Sequence, residues 1–338
     1  MTGYDDRIQS VLKGDYSSES GALNFTGNKS VINKAEDVIA IINRMGIDSS
    51  EVAFLSIGGA DGTEIEQLLL KTRSSFGILI EFAQKLSDIA KGKAERLQKE
   101  SGKQLLVYTG DATQNLDTVI QQVEQWKRDD KIKLLVISIH ALLHELPDRG
   151  SRITDLEGFL QKFLWRSVPI VLIVREPCLP KGLPDIVYLS ADCDPRTIVA
   201  VAEKIIAKHP SFAGHERPLA LNSKVKIDSG LAIETVMKML YIEQINYEIQ
   251  ERITSYTRDE YLRIFRNVFT DKNITYEDIQ TDSFNMLWNK YGFKLYDNNN
   301  RELERPQLHI RVIATHQFDK YIDTTRGGTD KKNYRKSF

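Results

Sequence analysis

From residue 52 onward, short apolar runs alternate with amphipathic stretches. The runs lie at 52–57, 76–82, 104–109, 133–139 and 169–174, each too short for a stable helix. Between them, segments at 64–72, 83–99, 115–128 and 155–165 carry apolar residues at helical spacing. Strands alternating with helices of this length predict a mostly parallel sheet covered on both faces. Leu134-Leu135-Val136-Ile137 has no polar interruption, as expected of a strand buried on both sides. Upstream, Val38, Ile39, Ile41, Ile42 and Met45 predict a helix over 31–45, with Gly46 as its stop.

The rhythm changes after a helix through Ile198, Val201, Ile205 and Ile206, which ends near 209–210. Residues 210–230 read as mixed and loop-like, a long amphipathic helix follows over 231–253, and a shorter one over 258–269. Sheet-like segments return at 273–280 and 308–315. The expected fold is α/β, a doubly wound, mostly parallel seven-stranded sheet with an N-terminal helical segment and a helical insertion. In boundaries, this gives a helical cover over 1–50, a core over 51–209, an insertion or lid over 210–270, closing strands over 271–320, and a disordered basic tail over 321–338.

Composition narrows the class. The chain has 338 residues, 41% of them apolar and 28% charged, the profile of an ordinary globular protein. A formal net charge of -1 argues against a protein built to grip a phosphate backbone. No apolar run approaches the roughly 20 residues needed to span a bilayer. Residues 1–6 lack the pattern of a signal peptide, so a cytoplasmic setting is expected. Cys178 and Cys193 can form no disulfide framework, and neither has histidines at metal-ligand spacing, so no metal is expected. The expected partner is a small molecule, neither nucleic acid nor membrane, and the oligomeric state is open, a homodimer included.

Candidate chemistry sits at the strand ends. The first run breaks into Gly58-Gly59-Ala60-Asp61-Gly62 and re-enters a helix. Such a turn brings backbone N–H groups and a helix N-terminus close to a ligand. The second run ends in Glu81, about twenty residues on, where a carboxylate lies beside the glycine turn and can accept from two ribose hydroxyls. Asp111 follows the third run, a place suited to receive the exocyclic amine of an adenine. The fourth leads into Ser138-Ile139-His140-Ala141-Leu142-Leu143-His144-Glu145-Leu146 on the same crevice. His140 and His144 stand four apart, and their ordinary pKa near 6.5 suits proton transfer. Each strand-end residue also has an ordinary structural reading: a turn for the glycines, an N-cap for Asp111, loop packing for His144.

Over about 52–176 these residues resemble the class I S-adenosylmethionine-dependent methyltransferases, in particular the small-molecule members. The resemblance rests on the glycine turn, Glu81, Asp111, the Leu-His motif around His144 and the Arg175-Glu176-Pro177 strand end. It implies a Rossmann-like methyltransferase fold and S-adenosylmethionine as cofactor. Gly58, Gly59, Ala60, Gly62 and Ser138 would then lie around the cofactor, with Glu81 on the ribose, Phe82 against the adenine, and Asp111 and Ala112 on the adenine edge. His140 and His144 are the candidate bases, with Glu145 and Glu176 weaker candidates. His140, Glu176, Tyr241 and Tyr247 are candidate substrate contacts, the tyrosines from a covering insertion. The family's glycine motif opens with an acidic residue where this chain has Ser56, and Ala60 replaces a glycine. Asp61 or a residue of the N-terminal segment is therefore the candidate for holding the methionine ammonium. The expected reaction is methyl transfer to an oxygen, nitrogen or carbon of a small molecule. The competing expectations are a catalytically silent binding module of the same fold and a nicotinamide-dependent oxidoreductase, which shares the glycines and Glu81.

Overall fold

The computed structural model describes residues 29–144, 152–164, 167–239, 252–254, 256–279, 285 and 288–326. The first half follows one repeated pattern. Helix α1 (Lys29–Arg44) precedes β1 (Val52–Ile57), α2 (Thr63–Lys71), β2 (Phe76–Glu81), α3 (Gln84–Ser101), β3 (Gln104–Thr109), α4 (Ala112–Arg128), β4 (Leu134–His140), α5 (Arg152–Gln161) and β5 (Ile170–Pro177). The chain continues through β6 (Ile186–Ser190), α6 (Pro195–Lys208), β7 (Leu219–Leu221), β8 (Lys224–Asp228), α7 (Ser229–Met239) and α8 (Arg258–Val268). It closes with β9 (Ile274–Ile279), β10 (Lys294–Tyr296), β11 (His309–His316) and α9 (Phe318–Arg326).

The main sheet has seven strands in the order β3-β2-β1-β4-β5-β11-β9. Strands β1 to β5 pair in parallel, and β11 runs antiparallel to both β5 and β9. This is the doubly wound α/β sheet that the alternating runs predict. The order reverses between β1 and β4, which opens a crevice at the carboxyl ends of those strands.

Side-chain parity divides the core. Ala53, Leu55, Ile57, Leu135 and Ile137 face α4, α5 and α8, where Leu116, Val123, Phe159, Tyr261 and Phe265 complete one apolar layer. Val52, Phe54, Leu79, Leu134 and Val136 face the other way, against Val38 and Ile41 of α1, Leu68 and Leu69 of α2, and Ala90 and Leu97 of α3. The same parity sends Ser56, Ser138, His140, Arg175 and His309 toward the second layer. These are the polar strand-end positions on the α1–α2 side.

A second, four-stranded antiparallel sheet, β10-β6-β8-β7, follows β5. It has its own core, in which Val187, Leu189, Val225 and Ile227 pack on Ile198, Ile205, Leu231 and Val236 of α6 and α7. Residues 210–230, expected as loop, thus contain β7 and β8. In β8, Val225 and Ile227 point inward between Lys224, Lys226 and Asp228, a strand too short to stand out before its partner β6 is known. The expected boundary at 209 falls inside this unit, because β6 and α6 pack with β8 and α7. The closing segment 271–320 likewise gives β10 to the small sheet.

Helix α9 also replaces the first residues of the expected tail, since Phe318, Tyr321 and Ile322 pack onto the layer beneath α1. Of the expected long helix, α7 runs to Met239; residues 240–251, with Tyr241 and Tyr247, lie outside the described residues, as do Glu145 and residues 327–338.

Candidate functional site

Between β1 and α2 the chain turns on Gly58 (φ 69°), Ala60 (φ 51°) and Gly62 (φ 76°), three left-handed residues in five positions. Ala60 therefore holds a conformation that suits glycine, at about 1–2 kcal/mol of local strain. Gly59 is needed for space: a Cβ there would collide with Ser56 Oγ and lie 2.7 Å from Leu79 Cδ1. The sequence departure at position 60 leaves the turn intact.

Glu81 closes the turn. Its carboxylate accepts from Ala60 N and Ala83 N, both at 2.9 Å, so one side chain joins the glycine loop to the end of β2. Burial outweighs these bonds and pushes its pKa up to about 7. Phe82, half-buried beside it, packs with Ala60, Ala83 and Leu86. At the end of β3, Asp111 is the N-cap of α4 and accepts from Thr113 N at 2.7 Å, with Ala112 as the first helical residue. The structure thus brings Gly58 to Gly62, Glu81, Phe82, Asp111 and Ala112 to neighbouring strand ends.

Asp61 is not open to a ligand ammonium. It is buried, bonded to Lys93 Nζ at 2.6 Å, and accepts from Thr63 N and Thr63 Oγ1. Its charge is already matched by α3.

The two histidines after β4 have different surroundings. His144 is buried, with Nδ1 2.8 Å from Glu176 Oε2. Glu176 also accepts from Leu142 N at 2.8 Å and Leu143 N at 3.0 Å, and is fully buried. This carboxylate faces the α4–α5 side of the sheet and straps the loop that follows β4, which turns at Ala141 (φ 57°). Glu176 thus holds three backbone N–H groups of this loop, and the His144 ring bonds the same carboxylate.

His140 faces the other layer. Its Nδ1 lies 3.2 Å from Glu64 Oε2, on the first turn of α2. Burial raises the carboxyl pKa of Glu64, but the charges of His140 and Lys34 outweigh it and bring the pKa down to about 2. Lys34, half-buried on α1, has its own pKa lowered by burial and by Arg175, against the pull of Glu64 and Glu176. His309, at the start of β11, is pushed down to about 3 by burial, Arg175 and Lys34, and so is neutral at ordinary pH.

Glu64, Lys34 and His309 were not among the sequence candidates. Glu64 had one signal: a carboxylate one turn past a glycine loop, on the face of α2 that carries Ile65, Leu68 and Leu69 into the core. A tie between helix and sheet fixes α1 above this cluster, since Arg311 of β11 pairs with Asp37 of α1 and Glu277 of β9.

Among the described residues, no three histidine, cysteine or carboxylate side chains stand together as metal ligands would. No helix there is long and apolar enough to cross a membrane.

No protein-family model matches the sequence, and no curated protein matches it. Among solved structures, the chain is similar to a plantazolicin methyltransferase in complex with a triazolic desmethyl analog and SAH, with 10% identity, a TM-score of 0.44, and 93% of this chain and 96% of that one covered. It is similar to a geranyl diphosphate C-methyltransferase from Streptomyces coelicolor A3(2), in complex with Mg2+, geranyl diphosphate and S-adenosyl-L-homocysteine, at 10% identity, TM-score 0.38 and coverage of 83% and 78%. It is also similar to an O-methyltransferase from Bacillus cereus in complex with SAH, at 12% identity, TM-score 0.36 and coverage of 92% and 91%.

Proposed function

We propose that this protein binds S-adenosylmethionine and transfers its methyl group to an oxygen, nitrogen or carbon of a small molecule. One observation carries the reading: the glycine turn, the buried Glu81 and the capping Asp111 stand at three successive strand ends on one side of the sheet's reversal point. That is the arrangement an adenosine needs. The turn offers backbone N–H groups and a close approach, Glu81 offers a carboxylate for ribose hydroxyls, and Asp111 stands at the next strand end for the adenine edge. Ribose hydroxyl donors at Glu81 would favour its ionised form and offset the burial that raises its pKa.

The cofactor's sulfonium, when bound, supplies a methyl group already activated for transfer. The protein's part is to align the acceptor and exclude water. His140 is the histidine of the pair that can contact a ligand, because its Nε2 has no partner among the described residues. Phe82, packed with Ala60 beside Glu81, offers a ring face to the adenine.

Thermal unfolding with S-adenosylhomocysteine and, separately, with NAD tests the reading. At a ligand concentration 100 times Kd, a bound ligand adds about 2.7 kcal/mol of stability. Stabilisation by S-adenosylhomocysteine is expected; stabilisation by NAD alone makes the chain an oxidoreductase, and stabilisation by neither removes the cofactor.

A further inference from the structure

Three buried polar atoms on the α1–α2 side of the sheet have no hydrogen-bond partner among the described residues: Glu64 Oε1, Ser138 Oγ and His140 Nε2. Their residues are 3%, 3% and 7% exposed. Buried polar groups are nearly always satisfied, so three orphans in one cluster mark a place for ligand atoms. They are also neighbours. Ser138 and His140 are two apart on one face of β4, the Glu64 carboxylate bonds the His140 ring, and Ser138 lies beside that carboxylate and helps keep it ionised.

The chemistry of the three agrees. A carboxylate oxygen only accepts. His140 Nδ1 faces that carboxylate, which leaves Nε2 as the ring nitrogen turned to a ligand. The serine hydroxyl can accept as well. An anionic acceptor beside a hydroxyl suits the N–H donors of a primary ammonium. A second charge completes the pattern: Lys34 of α1, half-buried, is close enough to Glu64 to lower its pKa. An ammonium on Glu64 and Ser138, with a carboxylate on Lys34, together describe an α-amino acid.

We infer that Glu64, Ser138, His140 and Lys34 form a receptor for the amino-acid end of the bound cofactor. This rests on the S-adenosylmethionine reading and adds to it the residues that replace the missing acid at Ser56. Ser56 stands opposite Ser138 in the β1–β4 register, so a carboxylate delivered from α2 reaches the region that a strand-end acid at 56 would serve. The inference moves His140 from proton transfer to binding.

The test compares two probes by titration calorimetry: S-adenosylhomocysteine, which has the amino-acid end, and 5′-methylthioadenosine, which keeps the adenosine and sulfur but lacks it. The native chain should prefer the first. Losing a hydrogen bond to a charged group lowers affinity about 10- to 100-fold, so Glu64→Gln and Lys34→Met should each weaken S-adenosylhomocysteine by that factor and leave 5′-methylthioadenosine unchanged. Ser138→Ala removes one small hydroxyl beside Glu64. It should unfold cooperatively and close to the native protein while binding S-adenosylhomocysteine several-fold more weakly, which keeps the test decisive if Glu64→Gln folds poorly. Equal weakening of both probes, or no weakening of either, overturns the receptor and leaves the cofactor reading standing. Binding of neither probe by the native chain overturns both.

Discussion

Replacing Glu81 by glutamine isolates the energetic cost of a buried carboxylate beside the glycine turn. An ordinary glutamate titrates near 4.5, and burial raises Glu81 to about 7. The sign follows from proton counting. Between these values the folded protein keeps a proton that the unfolded chain has released, so the contribution of Glu81 is complete below about 4.5 and is lost as pH rises through about 7. At ~1.4 kcal/mol per pH unit, the full interval is worth about 3 kcal/mol, of which about 2.5 kcal/mol falls between about pH 5 and about pH 8. Glutamine does not titrate. It also presents one acceptor where glutamate presents two, so the N–H of Ala60 or Ala83 loses a partner, a constant loss of about 1–3 kcal/mol at every pH. Urea unfolding of both proteins across this range, followed by fluorescence of the buried Trp126 and Trp288, gives the measurement. The native-minus-variant stability should fall by about 2.5 kcal/mol from the acid end to the alkaline end. Parallel pH profiles for the two proteins would refute the assignment of a raised pKa to Glu81.

Asp111→Ala should lose the α4 cap, lowering stability by about 1 kcal/mol in urea unfolding, and should weaken S-adenosylhomocysteine in calorimetry; unchanged affinity would displace the adenine from the end of β3. Glu176→Ala removes the anchor of the loop after β4 and leaves His144 and three backbone N–H groups without their acceptor. A loss of about 3–5 kcal/mol by urea unfolding is expected, and a loss below 1 kcal/mol would contradict the strap. Gly59→Ala places a Cβ against Ser56 and Leu79 and should lower stability by about 1–3 kcal/mol; Ser56→Gly in the same chain should recover part of it, and no recovery would show that Ser56 is not the obstacle.

Much of the main sheet is legible in the apolar runs because a strand buried on both faces has little choice of composition. Leu134 to Ile137 is such a strand wherever it occurs. The small sheet is less legible, since β7 and β8 have five or fewer residues each and take their meaning from β6, more than thirty residues earlier. At the site, Glu81 and Asp111 could be found because each directly follows a strand. Glu64 could not be assigned in that way: its role comes from a contact with His140, 76 residues along the chain. The strap at Glu176 was not legible because a strand end looks open in sequence, whereas the backbone of 142–144 returns to it.

The clasp between Asp37 and Arg311 joins residues 274 apart in the chain. At ~5–20 residues per second, a ribosome needs roughly 15–55 s to travel between them. Throughout that interval α1 lacks the arginine of β11. A nascent chain thus holds Glu64, Ser138 and His140 on β4 and α2 well before the clasp that secures α1, and with it Lys34, against the sheet.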